Sequence, residues 1–165
     1  MKVGRWKIFG IIVVLGLVVD QATKLYIHAT MKLYHSIPVI KGFFNITYLR
    51  NRGAAFSFLS DASWRLPFFI MVTLVACCVI LVALKKMRHE QRMAQVALAM
   101  IFSGALGNLI DRVRIGEVID FLDVYWKSYH WPAFNVADSL ICVGVALTAL
   151  DLFMEERRKQ QRTDL

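Results

Sequence analysis

Two aspartates bracket a strongly aromatic segment of this chain. The stretch opens Val118-Ile119-Asp120-Phe121 and closes Phe134-Asn135-Val136-Ala137-Asp138-Ser139, with Tyr125, Trp126, Tyr129, His130, Trp131 and Pro132 between. After Asp138 the sequence becomes a long apolar run. One carboxylate therefore belongs to a loop at a membrane surface and the other to the first turn of a membrane helix. Charge at that depth is unfavourable, and an ionisable side chain there marks an expected functional site. Two carboxyls meeting at a water–lipid boundary point to acid/base chemistry on something the membrane presents.

An aspartyl pair needs two carboxyls, one water and a wall against bulk solvent. Two carboxylates about 4 Å apart repel by roughly 4 kcal/mol at an effective dielectric near 20, or about three pKa units. The pair then shares one proton at neutral pH. Its ionised member takes a proton from water while the protonated one donates to a carbonyl, and the two titrate as a unit. Among the other acids, Asp61 sits in a polar loop, Asp151 at the far end of an apolar run, and Asp111 beside Arg112, its expected partner. Asp123 is the main rival to Asp120, because a helical loop would put both on one side. Nucleophilic chemistry is a separate candidate, with Ser57 or Ser139 activated by Lys24, but it leaves both aspartates without a role. His28, His35, His89 and His130 are scattered, and Cys77, Cys78 and Cys142 lie inside apolar runs as small fillers. No metal and no cofactor is expected.

These residues must be positioned by membrane elements. The 165-residue chain is 58% hydrophobic, above the roughly 45–50% of soluble domains, and its length suits one domain, 1–165. Four spans are expected, at about 8–27, 67–84, 93–110 and 134–154. The second, at about 1.5 Å per residue, reaches roughly 27 Å, close to the hydrocarbon thickness of about 30 Å. The first resembles a signal peptide, but Asp20 and Lys24 follow its apolar core and more spans come later, so it is expected to stay. Asp20 and Lys24 share a helix face at i, i+4. Ser103, Gly104, Ala105 and Gly107 form a small-residue face for close helix packing. Between spans, 37–49 is rich in β-branched and aromatic residues and reads as two short strands joined near Lys41-Gly42, a small sheet on the membrane surface. The tail 155–165 is basic and polar and is expected to fray.

A net charge of +8 would suit nucleic acid, but the basic residues cluster at the ends of apolar runs, which fits membrane anchoring instead. Lys2, Arg5 and Lys7, the hairpin 85–92, and Arg157, Arg158, Lys159 and Arg162 fall on one side of a four-span protein. By the positive-inside rule that side, with both termini, is cytoplasmic. Segments 28–66 and 111–133 are then extracytoplasmic. Asp20/Lys24, 51–56, 108–112, Asp120 and 135–138 all converge on the outer face, which a purely structural bundle has little reason to arrange. A small ion-coupled transporter using Asp20 and Lys24, and a non-enzymatic scaffold, are the competing classes. A transporter would hold its key charge near the midplane and often shows internal repeats.

Five motifs in register with the four spans resemble the bacterial lipoprotein signal peptidase, signal peptidase II. They are Asp20-x-x-x-Lys24, Asn51-Arg52-Gly53-Ala54-Ala55-Phe56, Gly107-Asn108-Leu109-Ile110-Asp111-Arg112, Val118-Ile119-Asp120-Phe121 and Phe134-Asn135-Val136-Ala137-Asp138-Ser139. The resemblance implies an all-α membrane protein of four transmembrane helices. It adds a small extracytoplasmic β-sheet region and a loop or helix over the site, for which the aromatic 123–131 stands. It implies an aspartic endopeptidase of the bacterial inner membrane that cuts diacylglyceryl-modified prolipoproteins on the N-terminal side of the lipidated Cys. Asp120 and Asp138 match the catalytic pair. Asn51, Asn108, Arg112 and Asn135 match substrate-holding positions, and Asp20, Lys24, Gly53 and Asp111 match supports of the site. The implied partners are a lipid-modified prolipoprotein and membrane phospholipid, the chain acting as a monomer.

Overall fold

The computed structural model describes residues 4–53, 63–88 and 90–163. Within them lie α1 (Arg5–Thr30), β1 (Ser36–Ile40), β2 (Phe44–Asn51), α2 (Arg65–Lys86), α3 (Arg92–Ile115), β3 (Val118–Trp126), β4 (Tyr129–His130) and α4 (Val136–Thr163). All four helices are long and apolar enough to cross a membrane. Such runs become helices in lipid because a helix satisfies every backbone N–H and C=O internally. The hydroxyls of Thr23, Thr30, Thr73 and Thr148 follow the same rule and donate to the carbonyl four residues back.

Helix α3 is the one the others pack on. It is buried along 44% of its apolar window, against 11–17% for the rest, whose remaining surface is left for lipid. The small-residue face does this packing. A methyl at Gly104 would overlap the Ala137 carbonyl oxygen, one at Gly107 the Asp20 carboxylate, and one at Gly144 would meet the Ala97 carbonyl oxygen at 2.7 Å. These contacts put α1 alongside α3 in the same direction and α4 antiparallel to it. The Arg5 guanidinium donates to the carbonyls of Leu84, Lys85 and Met87. The start of α1, the α2–α3 connection and the end of α4 therefore share one end of the bundle.

The other end carries an antiparallel sheet in the order β1-β2-β3-β4. The β1–β2 turn falls at Lys41-Gly42 as expected, with Gly42 at φ 81, where a side chain would strain the backbone. Ile27, Tyr48, Ile119 and Phe121 form a small core under the sheet, separate from the cluster of Phe9, Val13, Ile80, Leu84 and Ala99 at the opposite end.

Several boundaries move. Helix α3 runs past the expected 110 to Ile115 and stops at Gly116, left-handed at φ 73, whose N–H caps the Arg112 carbonyl. Helix α4 begins at Val136, because Phe134 is held in a bridge to Leu122, and it continues to Thr163 where a frayed tail was expected. Segment 111–133 completes α3 and forms β3 and β4, and its aromatic part 123–131, expected as a loop or helix over the site, is the end of β3 and the short β4. Its residues 118–121 are buried on both faces, so no alternation of polar and apolar residues marks the strand in the sequence. The motif residues Ala54, Ala55 and Phe56, with Ser57, Asp61, His89 and Lys2, lie outside the described residues.

Candidate active site

The site is assembled where the sheet meets the ends of α1, α3 and α4. Helix α1 contributes Asp20 and Lys24, both fully buried one turn apart. The Lys24 ammonium has three protons and three acceptors: Asp20 Oδ2 at 3.0 Å, Asp111 Oδ2 at 3.1 Å and Asn108 Oδ1 at 2.9 Å. Asp20 Oδ1 accepts the Ala137 N–H at 2.9 Å, and Asp111 Oδ2 accepts the Ile119 N–H at 3.2 Å. One ammonium and two carboxylates thus tie α1 to α3, to the start of α4 and to β3. Asp111 does not turn to Arg112, the partner its sequence position implied. Adjacent helical residues point about 100° apart, so Asp111 faces inward to Lys24 while the Arg112 guanidinium reaches the Gly53 carbonyl at 3.4 Å and stacks 4.8 Å from the Phe69 ring.

Asp138 sits in the first turn of α4, and Asn135 is the cap before it. The Asp138 N–H donates to Asn135 Oδ1 at 2.9 Å, and the Asn135 N–H donates to Asp138 Oδ2 at 3.2 Å. This is the reciprocal capping of a helix N-terminus. The Asn135 Nδ2 group reaches Asp120 Oδ1 at 2.7 Å, so both aspartates bind this one residue. Asp138 Oδ1 accepts from Asn108 Nδ2 at 2.8 Å, and Asp120 Oδ2 from Asn51 Nδ2 at 3.0 Å. The amide orientations follow from their other ends. Asn108 Oδ1 faces an ammonium that can only donate, and Asn51 Oδ1 accepts the Gly53 N–H at 2.9 Å.

Asp120 is 3% exposed. Burial, then the nearby negative charge of Asp138, pushes its carboxyl up to about 7, with the Asn51 and Asn135 donors and Lys24 pulling the other way. Its rival is set apart by the strand. Residues three apart on a strand face opposite sides, and Asp123 is engaged there by Asn45 Nδ2 at 2.8 Å and His130 Nδ1 at 2.8 Å. Among the described residues the Ser–Lys alternative finds no geometry, Ser57 lying outside them. All three Lys24 protons have acceptors, and the Ser139 hydroxyl donates to the Asn135 carbonyl at 2.9 Å.

All ten residues singled out in the sequence lie in this neighbourhood. Sequence reasoning missed Gln21, whose Nε2 bridges Asp20 Oδ2 at 3.0 Å, the Gly107 carbonyl at 3.1 Å and Asp111 Oδ1 at 3.3 Å. An amide inside an apolar run is the signal that could have found it. Phe69, under Arg112, left no signal among the other apolar residues of α2. Among the described residues every buried side-chain nitrogen and oxygen has a hydrogen-bond partner.

Residues 12–154 match the family model described as "Signal peptidase (SPase) II". A protein of Geobacter sulfurreducens named lipoprotein signal peptidase is 70% identical over 93% of this chain and 96% of its own. One of the same name from Geobacter metallireducens is 63% identical over 95% and 97%. A solved structure described as a bacterial membrane enzyme superposes with a TM-score of 0.81 at 37% identity, covering 92% of this chain and 90% of the other.

Proposed function

This chain belongs to the signal peptidase II family, multi-pass membrane proteases of bacteria that remove signal peptides from prolipoproteins, and from that premise we propose that Asp120 and Asp138 are its hydrolytic pair. One observation carries the assignment: two buried-side carboxylates from different elements meet on Asn135, and the donors that hold them are amides rather than an ammonium. Such a pair can hold one proton between its members at neutral pH. One member draws a proton from water as its oxygen attacks the scissile carbonyl, and the other protonates that carbonyl's oxygen.

The amides of Asn108 and Asn135 are taken up within the site, which suits aiming the two carboxylates more than gripping substrate. Asn51 does the same for Asp120. Arg112 is the substrate contact of this reading: a forked donor, with Asp138, Asp120 and Asp111 in electrostatic range. Asp20, Lys24 and Asp111 form the rigid base, and the Gly53 backbone links Asn51 to Arg112. The substrate is a prolipoprotein whose Cys bears diacylglycerol, cut on the N-terminal side of that Cys. Its acyl chains rest in the outer leaflet and bring the bond to the depth of the first turn of α4. The chain works as one peptidase domain, 1–165, as a monomer in phospholipid and without a cofactor. Both termini are cytoplasmic and the site is extracytoplasmic, in keeping with the basic end of the bundle lying opposite the sheet. A transporter or scaffold reading gives no reason for peptidase family membership.

The test is cleavage of a diacylglyceryl-modified prolipoprotein by detergent-purified protein. Asp120→Asn and Asp138→Asn should each be inactive while remaining folded. Full activity in either would remove the pair.

A further inference from the structure

We propose that Lys24 is a positioning residue for the hydrolysis: acting through the Asn108 amide, it holds Asp138 as the unprotonated base of the pair and leaves the shared proton on Asp120. The inference rests on Asp120 and Asp138 being the hydrolytic pair.

Each carboxylate accepts two N–H donors, so the number of donors does not distinguish them. What stands behind the donors does. Asp138 Oδ1 is held by the Asn108 amide, whose oxygen takes a proton of the Lys24 ammonium at 2.9 Å. An amide bonded to a cation on one side is polarised toward an anion on the other. Asp138 Oδ2 takes the Asn135 N–H at the start of α4, where the helix end itself favours negative charge. Asp120 has no such backing. The amide of Asn51 has its oxygen on the Gly53 N–H, and that of Asn135 has its oxygen on the Asp138 N–H, both neutral donors.

Solvent access divides them the same way. Asp120 is 3% exposed and Asp138 half-buried, so the member open to water is the one placed to deprotonate it. The charged groups bearing on Asp138 are Lys24 and Asp20 from α1, Arg112 from α3 and Asp120 from β3. Those bearing on Asp120 are Asp138, Lys24 and Arg112. The position of Asp120 near 7 agrees with a carboxyl that keeps its proton.

The reaction balances on this assignment. Asp138 takes a proton from water as the water oxygen bonds to the carbonyl carbon, and Asp120 gives its proton to the carbonyl oxygen. Asp138 then passes its proton to the leaving nitrogen as the C–N bond breaks, and a hydroxyl of the diol returns a proton to Asp120. One water is consumed and the pair is restored.

Lys24→Met leaves Asp20 buried without its counter-charge and Asp111 with Arg114 at 3.6 Å in place of the ammonium, and risks unfolding. Asn108→Ala interrupts the relay and keeps both ion pairs. For a detergent-solubilised diacylglyceryl-modified prolipoprotein, folded Asn108→Ala should lose kcat by roughly 10- to 100-fold with KM unchanged. The acid limb of its pH profile should move up by about one unit. A raised KM with both limbs in place would make Asn108 a substrate contact and overturn the relay. Infrared difference spectra give a second readout that needs no turnover. Below the Asp120 midpoint of about 7, the band of a buried protonated carboxyl should be present in the wild type, lost in Asp120→Asn and kept in Asp138→Asn. The opposite pattern would move the proton to Asp138 and end the proposal. Full cleavage by either Asp120→Asn or Asp138→Asn would instead remove the hydrolytic pair beneath it.

Discussion

Two sets of carboxylates, joined through Asn108, are met by different groups in this protein. Asp20 and Asp111 share the Lys24 ammonium at 3.0 and 3.1 Å, and all three side chains are fully buried. Asp120 and Asp138 bind amides: Asn51, Asn108 and Asn135. The first set is an internal salt, its two carboxylates closed on one ammonium. The second is left with charge that its surroundings do not cancel, and one of its members is pushed up to about 7. The groups that face a carboxylate thus differ between the two sets, and Asn108 stands at the frontier, accepting from the ammonium and donating to Asp138.

The comparison is broken most severely by neutralising the reactive set. Asp138→Asn or Asp120→Asn should lower prolipoprotein cleavage by about 10³-fold or more with melting temperature held or raised, since a buried like-charge contact is removed. The same cleavage assay run beside a thermal scan checks it. Substitution in the other set should do the reverse. Lys24→Met should destabilise the protein by about 3–5 kcal/mol, seen as lower membrane yield and a lower melting temperature. A Lys24→Met protein as stable as wild type but with lowered kcat would separate the part Lys24 plays through Asn108 from its structural part.

A smaller effect is expected where the two sets touch the packing. Gly107→Ala pushes a methyl into the Asp20 carboxylate, for a loss of about 1–3 kcal/mol in the same scan. The pH dependence sharpens the contrast further. The folded protein holds the Asp120 proton up to about 7, whereas an unfolded Asp releases it near 3.9. That group's contribution to stability is therefore full below about 4 and is lost as pH rises through about 7. Turnover should fall along an alkaline limb near 7, and Asp120→Asn should flatten the loss of melting temperature over that window. The smallest effect belongs to Asp123→Asn, which should leave cleavage unchanged, because Asp123 faces Asn45 and His130 on the other side of the strand. A dead Asp123→Asn beside a live Asp120→Asn would exchange their roles.

Much of this could be read from the chain itself. The four spans, the β1–β2 hairpin at Lys41-Gly42 and the Asp20/Lys24 pair all rest on local patterns of hydropathy, turn residues and helical spacing. The strand at Val118–Trp126 was not legible, because it is buried on both faces at its start and shows no alternation. The choice between Asp120 and Asp123 depended on that strand, since a helix would have put them on one side. The partner of Asp111 was misread for a related reason: sequence proximity to Arg112 counts for less than direction around α3.

The sequence by itself determined the four helices long and apolar enough to cross a membrane, because hydropathy acts over one helix at a time. The tertiary structure alone decided which acids face an ammonium and which face amides. That depends on Lys24 from α1 meeting Asp111 and Asn108 from α3, and on Asn135 joining a strand to a helix. Hydrogen bonds and close ion pairs form only between groups brought within about 3–4 Å in space, so no pattern along the chain can stand in for those contacts.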